Sequence, residues 1–524
     1  MSASPQDQQQ PDPHRWWTLF AVCIATFMLL LDVTIVNVAL PDIQRDLHSS
    51  FEDLQWVVDA YALTLAAFLL TAGSLADRLG RKRVFIAGLG LFTLASLLCS
   101  LSKSPTALNL ARALQGVGGA AMFATSLALL ASAFTGRERG TALGIWGATT
   151  GASVAVGPLV GGVLTEHVSW QSIFYVNLPV GIAAIAITIK MVRESHAPDP
   201  DPIDWAGLTT FSAGLFALVF ALVRGNDKGW GSTQIVALLV GAAVLLLAFV
   251  LIEARIKRPM LDLHLFKVPT FVGASVAAFA LSASMFAMFL YLTLFMQNIL
   301  TFSPLEAGLR FLPITVLSFF FAALSGNLTS RVPVRLLLGV GLGLTGLGLL
   351  LMTGLDADSK WTALLPGFLI GGAGIGLTNP ALAATAVGVV DPRRAGMASG
   401  VNSTFRQVGI ATGIAGLGAI FQSTITSNVT EHLPRAAAGR LPPSQILAQG
   451  SIQSVPAPLK HAFATGWTAS LNEILVIGGV VALAGAVLAL LLVRSQDFVG
   501  PAGHGAPPAP QQPQASGEPE PAAT

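Results

Sequence analysis

Gly73-Ser-Leu-Ala-Asp77-Arg78-Leu-Gly80-Arg81-Lys82-Arg83 is a short polar, basic stretch between two apolar runs, 54–75 and 84–101. Gly73 and Gly80 let two helix ends approach closely, and Asp77 can pair with the bases or sit at a helix N-terminus. Such a cluster is suited to latching one arrangement of the helices it joins. A plain basic loop needs Arg78, Arg81 and Lys82, but not the Gly-x-x-x-Asp-Arg-x-Gly spacing. The stretch recurs 253 residues later as Gly326-Asn-Leu-Thr-Ser-Arg-Val-Pro-Val-Arg335, with Gly, Leu, Arg and the final base in step. Ser50 to Val57 aligns with Ser303 to Arg310 at the same offset. Two related halves imply a pseudo-symmetric membrane protein. Ser330 stands where Asp77 does, so only the first copy is complete.

The composition agrees. Of 524 residues, 53% are hydrophobic and 11% charged, with a mean hydropathy of +0.69; a soluble domain carries about 25% charged residues. A helix crossing ~30 Å of hydrocarbon needs roughly 20 apolar residues. Segments of that kind occur at 16–39, 54–75, 84–101, 106–130, 140–164, 170–191, 204–223, 234–252, 270–296, 305–325, 334–354, 361–387, 398–422 and 472–493. The fold class is therefore all-α polytopic membrane protein with 14 transmembrane helices. The repeat register makes 16–192 an N-terminal six-helix bundle, 204–253 two linking helices and 270–493 a C-terminal six-helix bundle.

Eighteen Lys and Arg residues fall in loops on one side against eight on the other, which predicts cytoplasmic termini. Tryptophans 16, 17, 56, 170, 205, 230 and 361 sit at segment ends, as an interfacial belt requires. The first run lacks a small-residue cleavage site and reads as a retained helix. A net charge of +2, scattered over helix ends, excludes nucleic acid as a partner. Cys23 and Cys99 lie near opposite membrane faces and read as small core residues. The ends 1–15 and 499–524 are Pro-, Gln- and Ala-rich and read as disordered cytoplasmic tails. The long outer loop 423–463 either caps the outer mouth, through Ile446–Ile452 and Leu459–Phe463, or is a spacer.

Leu31-Asp32-Val-Thr-Ile-Val-Asn37-Val-Ala-Leu-Pro41, Arg112-Ala-Leu-Gln-Gly116-Val-Gly118 and Gly151–Gly162 are three further motifs, the last with Gly157-Pro158, Gly161 and Gly162. Together with the opening stretch they resemble the major facilitator superfamily, in its branch of fourteen-helix drug:proton antiporters. The resemblance covers nearly all of the membrane region. Trp56-Val-Val-Asp59-Ala-Tyr61 is similar to the second-helix start of members exporting quaternary ammonium and other lipophilic cations. Trp170-Gln171-Ser172-Ile173-Phe174 departs from the family's Trp-Arg-Trp opening, while Asn177, Pro179 and Gly181 remain. The resemblance implies a proton-coupled antiporter of the cell membrane, exporting lipophilic, cationic drugs or antibiotics from a bacterium. A dedicated exporter of one endogenous metabolite fits the same motifs; a non-transporting receptor or scaffold would not need the buried charges.

Asp32 lies ~24 Å into the first helix, and Asp59 and Arg112 lie ~8 to 10 Å below the outer starts of theirs. Intramembrane charges are costly unless paired or wet, and mark functional sites. Asp32 is expected as proton carrier, Arg112 as the partner that tunes it and Asp59, with Tyr61, as the cation-recognising group. The alternative is that both acids are satisfied by neighbouring hydroxyls such as Thr34. Arg406 lines the cavity, pairs across the halves with Asp77, or anchors structure. Met285, Phe289 and their aromatic neighbours suit lipophilic ligands or lipid. Asp77 is expected to reach the thirteenth helix across the halves.

Gly341-Leu-Gly343-Leu-Thr-Gly346 matches a dinucleotide fingerprint but lies inside an apolar run, and no phosphate loop is present. The His and Cys spacing offers no metal site. The chain therefore reads as no enzyme, without cofactor or metal, monomeric in the lipid bilayer, with a lipophilic small molecule and protons as its ligands.

Overall fold

A computed structural model describes residues 13–134, 136–195, 204–256, 261–329, 331–390, 395–432 and 451–498. The two tails lie almost wholly outside the described residues. The first half contains α1 (Arg15–Leu47), α2 (Phe51–Leu79), α3 (Arg81–Ser100), α4 (Pro105–Ala133), α5 (Gly136–His167) and α6, which is Ser172–Tyr175 continued by Asn177–Met191. Then come α7 (Trp205–Lys228) and α8 (Thr233–Glu253). In the second half α9 joins Pro269–Leu281 and Ala287–Leu294 through a π-helical turn, Ser282–Phe286, and ends in another, Phe295–Ile299. It is followed by α10 (Pro304–Arg310 and Leu312–Leu328), α11 (Val334–Leu351), α12 (Leu365–Gly388), α13 (Ala395–His432) and α14 (Lys460–Leu492). No strand occurs among the described residues. Twelve of these helices are long and apolar enough to cross a membrane; α2 and α5 span 29 and 32 residues, so the arrangement is compatible with fourteen crossings.

The repeat is written in backbone geometry. His48, after α1, and Thr301, after α9, are the two non-glycine residues with positive φ among those described, at +50° and +61°. They stand 253 positions apart. Two residues later each copy opens its next helix with a capping box. Asp53 N donates to Ser50 Oγ at 3.1 Å and Ser50 N to Asp53 Oδ2 at 3.1 Å. Glu306 N donates to Ser303 Oγ at 3.2 Å and Ser303 N to Glu306 Oε2 at 3.0 Å. A left-handed residue followed by a two-way cap turns the chain sharply between antiparallel helices in both halves.

Within the first half α2 and α3 pack on α4, and α1 on α5; within the second, α10 and α11 pack on α12, and α13 on α14. The halves meet along α2–α13 and α5–α10. Towards the face carrying the α1–α2 turn, which the charge bias predicts to be outer, they are bonded together. Gln297 Nε2 donates to Val38 O at 2.7 Å, Leu305 N to Glu166 Oε2 at 3.0 Å and Gln55 Nε2 to Ile414 O at 3.2 Å. The structure is closed on that face.

The linking pair is not symmetric in its packing. α7 lies on both α2 and α13, where Leu215 and Val219 join Trp56, Ala60, Ala411 and Ala415 in one apolar cluster, and Ser212 Oγ donates to Ala67 O at 2.9 Å. Only 17% of the apolar window of α8 is buried, which suits a helix facing lipid.

Two expectations are corrected. The outer loop is shorter than 423–463, because α13 continues to His432 and α14 starts at Lys460. Hydropathy ends the segment at 422 since the extension is rich in Ser and Thr, whose hydroxyls bond back to the helix carbonyls, as in Thr424 to Ile420 O at 3.0 Å. Of the expected caps, Ile446–Gly450 lies outside the described residues, while Ile452 N donates to Asn298 O at 2.9 Å and Phe463 is buried. The lipid-facing alternative for the ninth segment also fails, because 89% of its apolar window is buried.

Candidate functional site

Asp32, on α1, and Arg112, on α4, are 0% and 1% exposed and form an ion pair through Arg112 Nη1 and Asp32 Oδ2. Both are held by further hydrogen bonds. Gln115 Nε2 donates to Asp32 Oδ1 at 2.8 Å and to Ser96 Oγ at 2.9 Å. Asn177 Nδ2 adds a donor to Asp32 Oδ1 at 3.2 Å. Arg112 also donates to Gln115 Oε1 at 2.7 Å and, from Nε, to Val57 O at 2.9 Å, and its guanidinium carbon lies 4.3 Å from the centre of the Tyr61 ring. Five helices of the first half thus converge on one charge pair. Removing one partner of a buried pair costs about 3–5 kcal/mol, because the other charge is left uncompensated.

Sequence reasoning found Asp32, Arg112 and Tyr61 but gave no role to Gln115, Ser96 or Asn177. Gln115 follows Arg112 by three residues, so the two share a helix face; a second polar residue on that face was the available signal. Tyr61 belongs to this network. The hydroxyl alternative does not describe Asp32, since Thr34 Oγ1 donates to Leu31 O at 3.1 Å.

Asp59 is the opposite case. It is 0% exposed, and among the described residues neither carboxyl oxygen has a hydrogen-bond partner. It lies one turn inward from Gln55, whose Nε2 reaches Ile414 O and, at 3.4 Å, Tyr291 Oη. Asp59 therefore sits on the α2 seam towards the second half, apart from the Asp32 network.

Arg406 stays in its own half, where Nη2 donates to Asn379 Oδ1 at 2.7 Å. Phe289 faces the other half: with Thr34, Asn37, Pro158, Phe311 and Thr315 it lines a narrow pocket between the halves. Met285 lies in the first π turn of α9, fully buried.

The opening motif is used within the first half. Gly80 has φ +108°, and a Cβ there would lie 2.6 Å from the Glu194 carboxyl carbon. Glu194 accepts from Lys82 N at 2.9 Å and Arg83 N at 3.2 Å, with Arg83 Nε at 3.7 Å. Lys82 Nζ donates to Ile189 O at 2.8 Å. The N-terminus of α3 thus holds an acid from the end of α6, as the helix dipole favours. Glu194 was missed, although it is an acid directly after the last apolar segment of its half. Arg78 is exposed, Gly73 lies near Ala124 of α4 and Arg81 N donates to Ser195 O. The Asp77 side chain lies outside the described residues.

In the α5 motif, Gly157 and Gly161 lie against Thr34 and Ile35 of α1, next to Pro158, and a Cβ on Gly162 would come 2.6 Å from Leu305 Cα of α10. Gly162 therefore permits the α5–α10 contact between halves. At the departure in α6, Trp170 Nε1 donates to Asp46 Oδ2 at 2.7 Å and Gln171 Nε2 at 3.3 Å, so neutral donors hold this acid.

The model of the major facilitator superfamily matches residues 22–414. The chain belongs to that superfamily. It is a multi-pass membrane transporter and not an enzyme. It is 38% identical over 421 residues to the multidrug resistance protein Stp of Mycobacterium tuberculosis, covering 80% of this chain and 78% of that one. It is 32% identical over 499 residues to the tetracenomycin C resistance and export protein of Streptomyces glaucescens, covering 92% of each. Among solved structures, a bacterial homologue of the human lysosomal transporter Spinster shares the fold, with a TM-score of 0.62 at 18% identity over 94% of this chain and all of the other.

Proposed function

We propose that this transporter exports lipophilic, cationic small molecules across the plasma membrane of a bacterium in exchange for protons, as a monomer with both termini in the cytoplasm. The observation that carries the reading is the burial of three ionisable side chains, Asp32, Arg112 and Asp59, inside the long helices α1, α4 and α2. Such groups are expensive and belong to ion or substrate pathways. An ion pair alone serves packing. An additional acid on the seam between halves supplies a group that exchange of a proton or a cation can address. Drug export is supported by the multidrug and antibiotic resistance relatives.

A dedicated exporter of one antibiotic is the second reading, favoured by the relative named for tetracenomycin C export, which aligns over 92% of this chain. Both readings need the same machinery: two halves that alternate about the Asp32 network, with Gly162 and the α2–α13 seam closing the outer side. The Gly80–Lys82 region secures the first half, and Asp77 is assigned to the inner latch. Phe289 and Met285 line the path with apolar, adaptable surface, while Arg406 braces α13. Uptake by proteoliposomes under an imposed pH gradient, over a panel of cationic and neutral compounds, tests the reading and separates its two forms by the breadth of the panel moved.

A further inference from the structure

A buried carboxylate that is ionised without a donor is the least tolerable polar group a membrane interior can hold; such a group gives up its charge by binding a proton. Asp59 meets that description on both oxygens. The ionisable groups on the surrounding helices do not compensate it. Arg112 of α4 is engaged by Asp32, Gln115 and Val57 O. Arg406 of α13 is engaged by Asn379. Tyr291 of α9, within electrostatic range of Asp59, donates its hydroxyl to Ile414 O at 2.7 Å. The α7 side of the seam offers Leu215 and Val219. Asp32, by contrast, already accepts from Arg112, Gln115 and Asn177, and a proton there would cancel the charge that pairs with Arg112.

We propose that Asp59, rather than Asp32, carries the exchanged proton, and that its protonation is the condition for the outer half of the α2–α13 seam to close. The inference rests on the antiport reading above and divides its labour. Asp32 and Arg112 remain an ion pair that orders the first half. Asp59 takes a proton from external water while the seam is open and buries it as the neutral acid when Gln55 reaches Ile414 O. It returns the proton to internal water when the seam rearranges, and an arriving cation can then take the proton's place beside the carboxylate. The proton is transferred between water and carboxylate, and no other bond changes.

The test uses the purified full chain in lipid. Infrared difference spectra between neutral and alkaline pH report a buried carboxylic acid by its C=O band. Asp59→Asn, which is isosteric with the protonated acid and so preserves packing, is expected to abolish the band, whereas Asp32→Asn leaves it and Asp59→Glu restores a shifted one. Persistence of the band in Asp59→Asn, or its loss in Asp32→Asn, overturns the proposal. In proteoliposomes a one-unit pH gradient sustains about tenfold accumulation for one proton per substrate; Asp59→Asn is expected to lose it while exchange without a gradient continues. Gradient-driven accumulation intact in Asp59→Asn also overturns the assignment. A wild type that moves no compound under any gradient sinks the antiport reading instead, and the infrared band then decides the state of Asp59 alone.

Discussion

Three side chains from α4 and α6 donate to Asp32, and the network is no stronger than its neutral members. Gln115 both donates and accepts, bridging Arg112, Asp32 and Ser96. Gln115→Ala removes a donor from Asp32 Oδ1 and an acceptor from Arg112 Nη1, both buried, at about 1.5–3 kcal/mol for a hydrogen bond to a charged group. A lowered melting temperature in detergent and slowed transport are expected; unchanged stability would show that water or Asn177 replaces it fully. The charges of this network were legible in the sequence because an Asp or Arg inside an apolar run announces itself. Its amides were not, since Gln and Asn in a helix give no signal until a neighbouring helix supplies their partner. The difference between Asp32 and Asp59 was illegible for the same reason: both are acids inside apolar runs, and only packing shows that one collects donors and the other none.

Helix existence and the repeat were legible because period and length are local properties, whereas helix ends depend on caps and on what they rest against. The α13 extension and the partition of the 423–463 loop are of the second kind. So are the positive φ angles of His48 and Thr301. An L-residue in that region is strained by about 1–2 kcal/mol, and glycine is not. His48→Gly and Thr301→Gly are each expected to raise stability by about 1 kcal/mol after glycine's entropy cost, seen as a higher melting temperature. A fall would mean that the side chain makes a compensating contact.

At the end of α5, Glu166 accepts from Leu305 N at the start of α10. The Ser303 hydroxyl, and then Leu305 N, hold its carboxyl below the usual glutamate range. The folded value being depressed, the contact is present at neutral pH and weakens as pH falls through that lowered value, beneath the usual glutamate range. Spin-label distances between the ends of α5 and α10 are expected to be constant from neutral pH down to that range and to broaden beneath it. Broadening near pH 6 would assign the change to another group.

The whole molecule is two six-helix halves bonded at one face, with α7 lying across their α2–α13 seam. Alternation between faces requires that this bonded state be close in free energy to one in which it is broken, and few direct bonds between halves suit that. The superfamily could be read from four motifs. The closed face could not, because it rests on contacts between residues up to 359 positions apart, such as Gln55 with Ile414. The claim that joins these scales is that proton movement drives export. It is tested most directly by purified protein in proteoliposomes with an acidic lumen, presented with a lipophilic cation outside. The account predicts accumulation that rises with the pH difference and collapses on adding a protonophore. Equal uptake with and without the gradient, for every compound in the panel, would contradict it.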